Sequence, residues 1–183
     1  MSQSPSTTSQ AATIASREAE IRMELLSKPV YLCAVRDFLR QICKRHGFND
    51  DQGAQVVLAV DEALANVMKH GYDGKHDGHI WLSITPFTDG AHERGAGLRI
   101  VIEDRAKQVD IESIKSRDLA DVRPGGLGVH IIKQVMDVAT YEKRDDGAGM
   151  RLTLVKHVSS PAVHAAGTDD TGRSGCCGGS HGS

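Results

Sequence analysis

From Ile21, the run Ile-Arg-Met-Glu-Leu-Leu alternates apolar and polar side chains and stops at Ser27, Lys28 and Pro29. That pattern suits a half-buried strand, with a helical reading left open for so short a run. Apolar residues then recur at three- and four-residue intervals (Leu32, Val35, Phe38, Leu39, Ile42, Cys43) before Gly47, which predicts an amphipathic helix over 30–46 with a glycine stop. Asn49 and Asp50 offer an N-cap for a second helix that carries Val56, Val57, Val60, Ala63, Leu64, Val67 and Met68 to about His70, where Gly71 ends it. After a turn-rich stretch, 80–87 and 97–104 show strand composition and alternation and predict an antiparallel pair. Residues 105–124 are mostly polar and lead through Pro124, Gly125, Gly126, Leu127 and Gly128 into a third helix ending near Met136. Two last strands, 138–143 and 150–157, flank an Asp-Asp-Gly-Ala-Gly turn. Strands and helices segregate rather than alternate, which predicts an α+β layer of helices on a mainly antiparallel sheet.

Composition sharpens the boundaries. All seven aromatic residues lie between Tyr31 and Tyr141, residues 1–16 carry no charge, and 158–183 contain six glycines, five serines and no aromatic. The expectation is an N-terminal tail (1–16), one folded unit (17–157) and a Gly/Ser-rich C-terminal tail (158–183), because neither end can bury enough apolar surface to order itself. With 22 basic and 24 acidic residues the chain offers no electrostatic footprint for nucleic acid or an anionic membrane. It also shows neither a membrane-length apolar run nor a secretory leader, which points to the cytoplasm. Four cysteines, at 33, 43, 176 and 177, make no CxxC pair and no disulfide framework.

Three local patterns carry potential chemistry. Glu62 and Asn66 sit four apart, hence on one helical face, with Asp61, Lys69 and His70 crowding the same end. An acid/base, neutral oxygen donors and cations together suit a hard cation shared with phosphates, although a polar stripe is more often a solvated face. Asp104 ends the apolar strand Arg-Ile-Val-Ile-Glu-Asp, where a carboxylate can accept from an exocyclic amine or simply close a strand. The glycines of 124–128 open a helix and let backbone N–H groups approach a phosphate, but match neither a P-loop nor a dinucleotide fingerprint. His76 and His79 flank a Gly/Asp loop without a third ligand nearby and read as exposed rather than zinc-binding.

In joint order, these patterns resemble the GHKL (Bergerat-fold) ATP-binding superfamily and, within it, the anti-sigma-factor serine/threonine kinases. Val-Asp-Glu-Ala-Leu-Ala-Asn-Val-Met-Lys-His-Gly-Tyr-Asp-Gly (60–74) is similar to the N box of that family, 101–110 to its first glycine box, 123–137 to its second and 150–156 to its closing strand. The resemblance implies a two-layer α/β sandwich, a mainly antiparallel mixed sheet covered on one face by about three helices. It implies ATP and Mg²⁺ as cofactors, Glu62 as general base, Asn66 as a Mg²⁺ ligand, and Lys69 or His70 beside the phosphates. Asp104 would take the adenine amino group, Gly125, Gly126, Leu127, Gly128 and Thr153 would line the nucleotide, and 105–124 would close as a lid. The first glycine box departs from the family's Asp-x-Gly, reading Asp104, Arg105, Ala106, and a family glycine at φ > 0 would be costly to replace with alanine.

The function so implied is an ATP-dependent serine/threonine protein kinase acting as an anti-sigma factor, which phosphorylates an anti-anti-sigma (STAS) partner in a partner-switching system. The intact Glu62–Asn66 pair favours it. The alternative is an ATP-binding module that switches partners without phosphoryl transfer, favoured by Ala106. A sigma factor is a further expected partner, and a homodimer through the first helix stands beside burial of its stripe in the core. A self-phosphorylating histidine kinase is not expected, since few residues precede the first helix.

Overall fold

The computed structural model describes residues 19–88, 96–109 and 127–158. Five strands, β1 (Ile21–Leu26), β2 (His79–Thr88), β3 (Ala96–Asp104), β4 (Val138–Lys143) and β5 (Met150–His157), form one sheet in the order β1-β2-β3-β5-β4. Every pairing is antiparallel, so the sheet is not mixed among the described residues. The alternation of Ile21, Met23 and Leu25 is strand periodicity and not one edge of a helix, because this segment pairs residue for residue with 79–84.

One face of the sheet is apolar. Ile80, Leu82 and Ile84 of β2, Leu98, Ile100 and Ile102 of β3, and Leu152 and Leu154 of β5 all point the same way by the two-residue period, and each is nearly or wholly buried. On that face lie α1 (Leu32–Arg45), α2 (Asp50–Asn66) and α3 (Leu127–Val135). Leu39 and Cys43 of α1, Val56, Val60, Ala63 and Leu64 of α2, and Ile132 of α3 complete the core.

The starts and stops follow from local chemistry. Pro29 opens a short 3-10 turn, Pro29–Tyr31, which feeds α1, so the helix proper begins two residues later than its apolar period suggests. A full capping box starts α2: Asn49 Oδ1 accepts from the Gln52 N–H at 2.8 Å, and Gln52 Oε1 accepts from the Asn49 N–H. Regular α geometry ends at Asn66, and Val67–Gly71 forms a π turn closed by the Tyr72 N–H donating to the Val67 carbonyl at 2.9 Å. Single π turns inserted at a helix end are characteristic of functional sites, and this one turns His70 toward the cavity described below.

The tails 1–16 and 159–183, most of the expected lid (110–124) and Gly125 and Gly126 lie outside the described residues. Val158, at the start of the expected C-terminal tail, donates its N–H to the Ala96 carbonyl and packs against the core. No described helix is long and apolar enough to cross a membrane.

Candidate functional site

Between the C-terminal half of α2, the ends of β3 and β5 and the start of α3 lies a cavity of about 200 Å³. Its walls are largely apolar, with Ala63, Val67, Ile102, Val129, Met150 and Leu152 among them. A slot of this kind, with few polar groups placed in it, is the usual form of a small-molecule site. Asn66, His70 and Asp104 supply polar groups.

Asp104 is the polar anchor of the slot. It is 4% exposed, and its Oδ1 accepts from the Ala106 N–H at 2.8 Å and the Met150 N–H at 3.3 Å. Burial pushes its carboxyl above the ordinary range, opposed by those two N–H groups and by Arg144. A buried carboxylate that keeps acceptor capacity suits a ligand bearing an amino group.

Three contacts hold the turn that carries it. The Tyr72 hydroxyl accepts from the Arg105 N–H at 2.9 Å and donates to the His79 carbonyl at 2.6 Å, tying the turn to the loop after the π turn. Gly149, in the hairpin between β4 and β5, donates its N–H to the Ala106 carbonyl at 2.9 Å. Its φ is +82° and a Cβ there would fall 1.8 Å from the Asp104 carbonyl oxygen, so only glycine permits this approach. On the opposite sheet face, the Arg105 and Arg144 guanidiniums lie 5.5 and 5.8 Å from the Trp81 ring centre.

Ala106 fits without strain. Asp73 is the only described non-glycine residue with positive φ, so Ala106 lies in the ordinary region. Its methyl group packs where a Cβ on Gly71 would come within 2.9 Å, and Gly71 therefore makes room for the residue that departs from the family's first box.

Glu62 and Asn66 project from one side of α2 toward the start of α3. A Cβ built on Gly128 would fall 2.6 Å from Glu62 Oε2 and 3.0 Å from Asn66 Nδ2, so the missing side chain at Gly128 is what lets both groups reach this junction. The neighbouring Asp61 is committed elsewhere: both its oxygens accept from Arg36, at 2.7 and 3.1 Å. Among the described residues Glu62 makes no ion pair or hydrogen bond, which leaves its carboxylate available. The described residues contain no group of three or more His, Cys, Asp or Glu that would hold a metal. A divalent ion here would take Asn66 and depend on phosphate oxygens for most of its shell, the usual habit of Mg²⁺.

The structure brings together Glu62, Asn66, His70, Asp104 and Gly128. The other expected residues that are described, Lys69, Leu127 and Thr153, do not join them. Lys69 is exposed and outside the cavity lining, as is Leu127 at the start of α3, 50% exposed; Val129 lines the slot instead. Thr153 points away from the cavity, because its neighbours Leu152 and Leu154 face the helices and side chains alternate along β5. Tyr72 and Gly149 were not singled out by sequence reasoning. The pair of glycines in 145–149 was the available signal for the second; the first lies within the 60–74 stretch similar to the N box, where nothing local shows which groups its hydroxyl meets.

The family described as histidine kinase-like ATPase domain matches residues 25–156, from the end of β1 through most of β5. The chain belongs to this family. Its site elements, from the Glu62–Asn66 face to the Asp104 turn, all fall inside the matched span of the ATPase domain. Among curated relatives, the serine-protein kinase RsbW of Listeria monocytogenes serovar 1/2a is 29% identical over 159 residues, covering 82% of this chain and 94% of that protein. RsbW of Staphylococcus epidermidis is 28% identical, covering 80% and 92%, and that of Oceanobacillus iheyensis 26%, covering 78% and 89%. Among solved structures, a chain from the SiaB–SiaC complex of Pseudomonas aeruginosa aligns with a TM-score of 0.52 at 12% identity, covering 85% of this chain and all of that one, a likeness of fold.

Proposed function

We propose that the protein is a cytoplasmic ATP-dependent serine/threonine kinase that acts as an anti-sigma factor and phosphorylates an anti-anti-sigma (STAS) partner. The observation that carries this reading is the meeting of Glu62, which has no ion pair or hydrogen bond among the described residues, with Asn66 and Gly128 at the junction of α2 and α3, beside a slot anchored by the buried Asp104. The similarity to serine-protein kinases over most of both chains supports it.

In this reading the adenine enters the apolar slot and its amino group donates to Asp104. Asn66 offers Oδ1 to Mg²⁺, and His70 lies on the side of the phosphates. ATP would supply the γ-phosphoryl group and leave as ADP, and a metal held by Asn66 would supply charge neutralisation at the phosphates. Glu62 accepts the proton of the incoming serine hydroxyl and holds that hydroxyl in line, so the protein works by positioning and electrostatics. The alternative is a module that binds ATP without phosphoryl transfer, favoured by the Asp104-Arg105-Ala106 departure; the ordinary φ of Ala106 and its packing against Gly71 support a first box that still takes the nucleotide.

The test incubates the protein with Mg²⁺, γ-labelled ATP and STAS-domain proteins of its own organism, beside Glu62→Ala. Label on a partner serine or threonine that disappears in Glu62→Ala is the expected result. ATP binding with no label on any partner would overturn the kinase reading in favour of the module.

A further inference from the structure

The sheet face turned away from the helices carries a groove of about 620 Å³, lined in part by Arg22, Trp81, Ser83, Arg99, Glu103 and Arg151. Its charges are unevenly matched. Glu103 is taken by Arg151 at 2.8 Å and Arg144 at 3.5 Å, and Glu24, also on the rim, is bonded to His79. Arg22 and Arg99 have neither a hydrogen bond nor an ion pair among the described residues. Arg22 is exposed, but Arg99 is half-buried in mid-sheet, paired in register with Thr85 and Val155. Burial and the nearby Arg151 cation both lower its pKa, the mark of a guanidinium held without a compensating anion.

An uncompensated half-buried cation opposes folding, and such a cost is retained where a ligand repays it. Arg22 lies opposite Ser83, and Arg99 lies diagonal to the same serine on the next strand, so these two guanidiniums flank one hydroxyl. We propose that this groove is a docking site for an acidic segment of a partner protein, whose carboxylates pair with Arg99 and Arg22. The planar guanidinium fork matches a carboxylate through two parallel hydrogen bonds. A polyanion fits less well. Glu24 and Glu103 border the groove, so an extended phosphate backbone or anionic membrane surface would meet like charge at the rim, which a short segment confined to Arg22 and Arg99 avoids. The site is distinct from the nucleotide slot on the helix-covered side.

The test uses the full chain and a glutamate-rich octapeptide as probe, by titration calorimetry at low and high salt. Expected are saturable binding that weakens with salt, a tenfold or greater loss of affinity in Arg99→Gln, a smaller loss in Arg22→Gln, and ATP affinity within twofold of the parent in both. Arg99→Met separates a docking residue from a structural one: replacing an uncompensated cation with an apolar chain should raise Tm by about 2–4 °C. The proposal is overturned by peptide binding that is absent or undiminished in Arg99→Gln, or by a lower Tm for Arg99→Met. It is equally overturned by tighter binding of a single-stranded oligonucleotide than of the peptide, or by a dimer that Arg99→Gln dissociates, since a second copy would then fill the groove.

Discussion

Replacing Asp104 with Asn isolates the one charged group buried in the slot. The shape is kept, and an amide oxygen can go on accepting from the Ala106 and Met150 N–H groups, which lie 2.8 and 3.3 Å from Oδ1. What changes is the charge and the remaining acceptor: Asn turns an N–H₂ toward the place where an adenine amino group would donate. A hydrogen bond to a charged group contributes about 1.5–3 kcal/mol, so ATP affinity should fall roughly 10- to 150-fold. Stability should move the other way. Burial raises the folded-state pKa of Asp104, so its contribution to stability is present at low pH and is lost as pH rises through that value. At neutral pH the ionised form is a cost that Asn removes, and Tm should hold or rise. Acidification through the raised pKa should relieve this one cost while removing the charge that binds the amino group, so the differences in Tm and in ATP affinity between Asp104→Asn and the parent should both shrink as pH falls. Calorimetric ATP titration and thermal melts from pH 4 to 8 measure them. Affinity for ATP within twofold of the parent in Asp104→Asn would refute the assignment of this carboxylate to the ligand.

Two further outcomes follow from the geometry around the slot. Gly128→Ala places a methyl group against Glu62 and Asn66, whose flexible ends can move aside, so the fold should survive with Tm within a few degrees; partner phosphorylation should fall on the order of 100-fold, read by the γ-label assay with melts as control. Tyr72→Phe removes a hydroxyl that bonds both the Arg105 N–H and the His79 carbonyl, at about 0.5–1.5 kcal/mol each, so ATP should bind several-fold more weakly with turnover of the bound complex little changed, and equal losses in KM and kcat would count against a role confined to the Asp104 turn.

The elements were legible because each rests on a local cause. Strand alternation placed β2, β3, β4 and β5 within about two residues of their observed ends, and Asn49 announced α2 because its capping chemistry lies within three residues. The Glu62–Asn66 spacing was equally local. What sequence did not reveal depends on contacts between distant segments. Thr153 and Leu152 are neighbours in the chain, yet only the sheet's covered face decides which one meets the slot. Gly149 matters through an approach to Asp104, 45 residues earlier, and Tyr72 through its bond to the Arg105 N–H, 33 residues later. The cost feared for Ala106 likewise depended on a φ and on the space at Gly71, neither of which a single chain displays.

The Asp104 turn is where these distant contacts converge, and its construction explains why a buried carboxylate can be kept ready there. An ionised oxygen in an apolar slot would relax toward whatever donors it could reach, which would spoil it as an acceptor for a ligand. Here two backbone N–H groups already occupy Oδ1, from Ala106 within the turn and from Met150 on β5. Neither can follow the carboxylate if it moves. Ala106 is fixed by Gly149 through its carbonyl, and Arg105 by Tyr72 through its N–H. The stacking of Arg105 and Arg144 on Trp81 adds a tether on the far face of the sheet. That tether sits beside the groove containing Arg99, whose lining includes the same Trp81. A segment docking in that groove therefore touches the ring on which Arg105 rests, one residue from the carboxylate. Occupancy of the outer face and affinity in the slot would then be coupled through Trp81, and by linkage the coupling must be reciprocal: ATP should alter peptide affinity by the factor that the peptide alters ATP affinity.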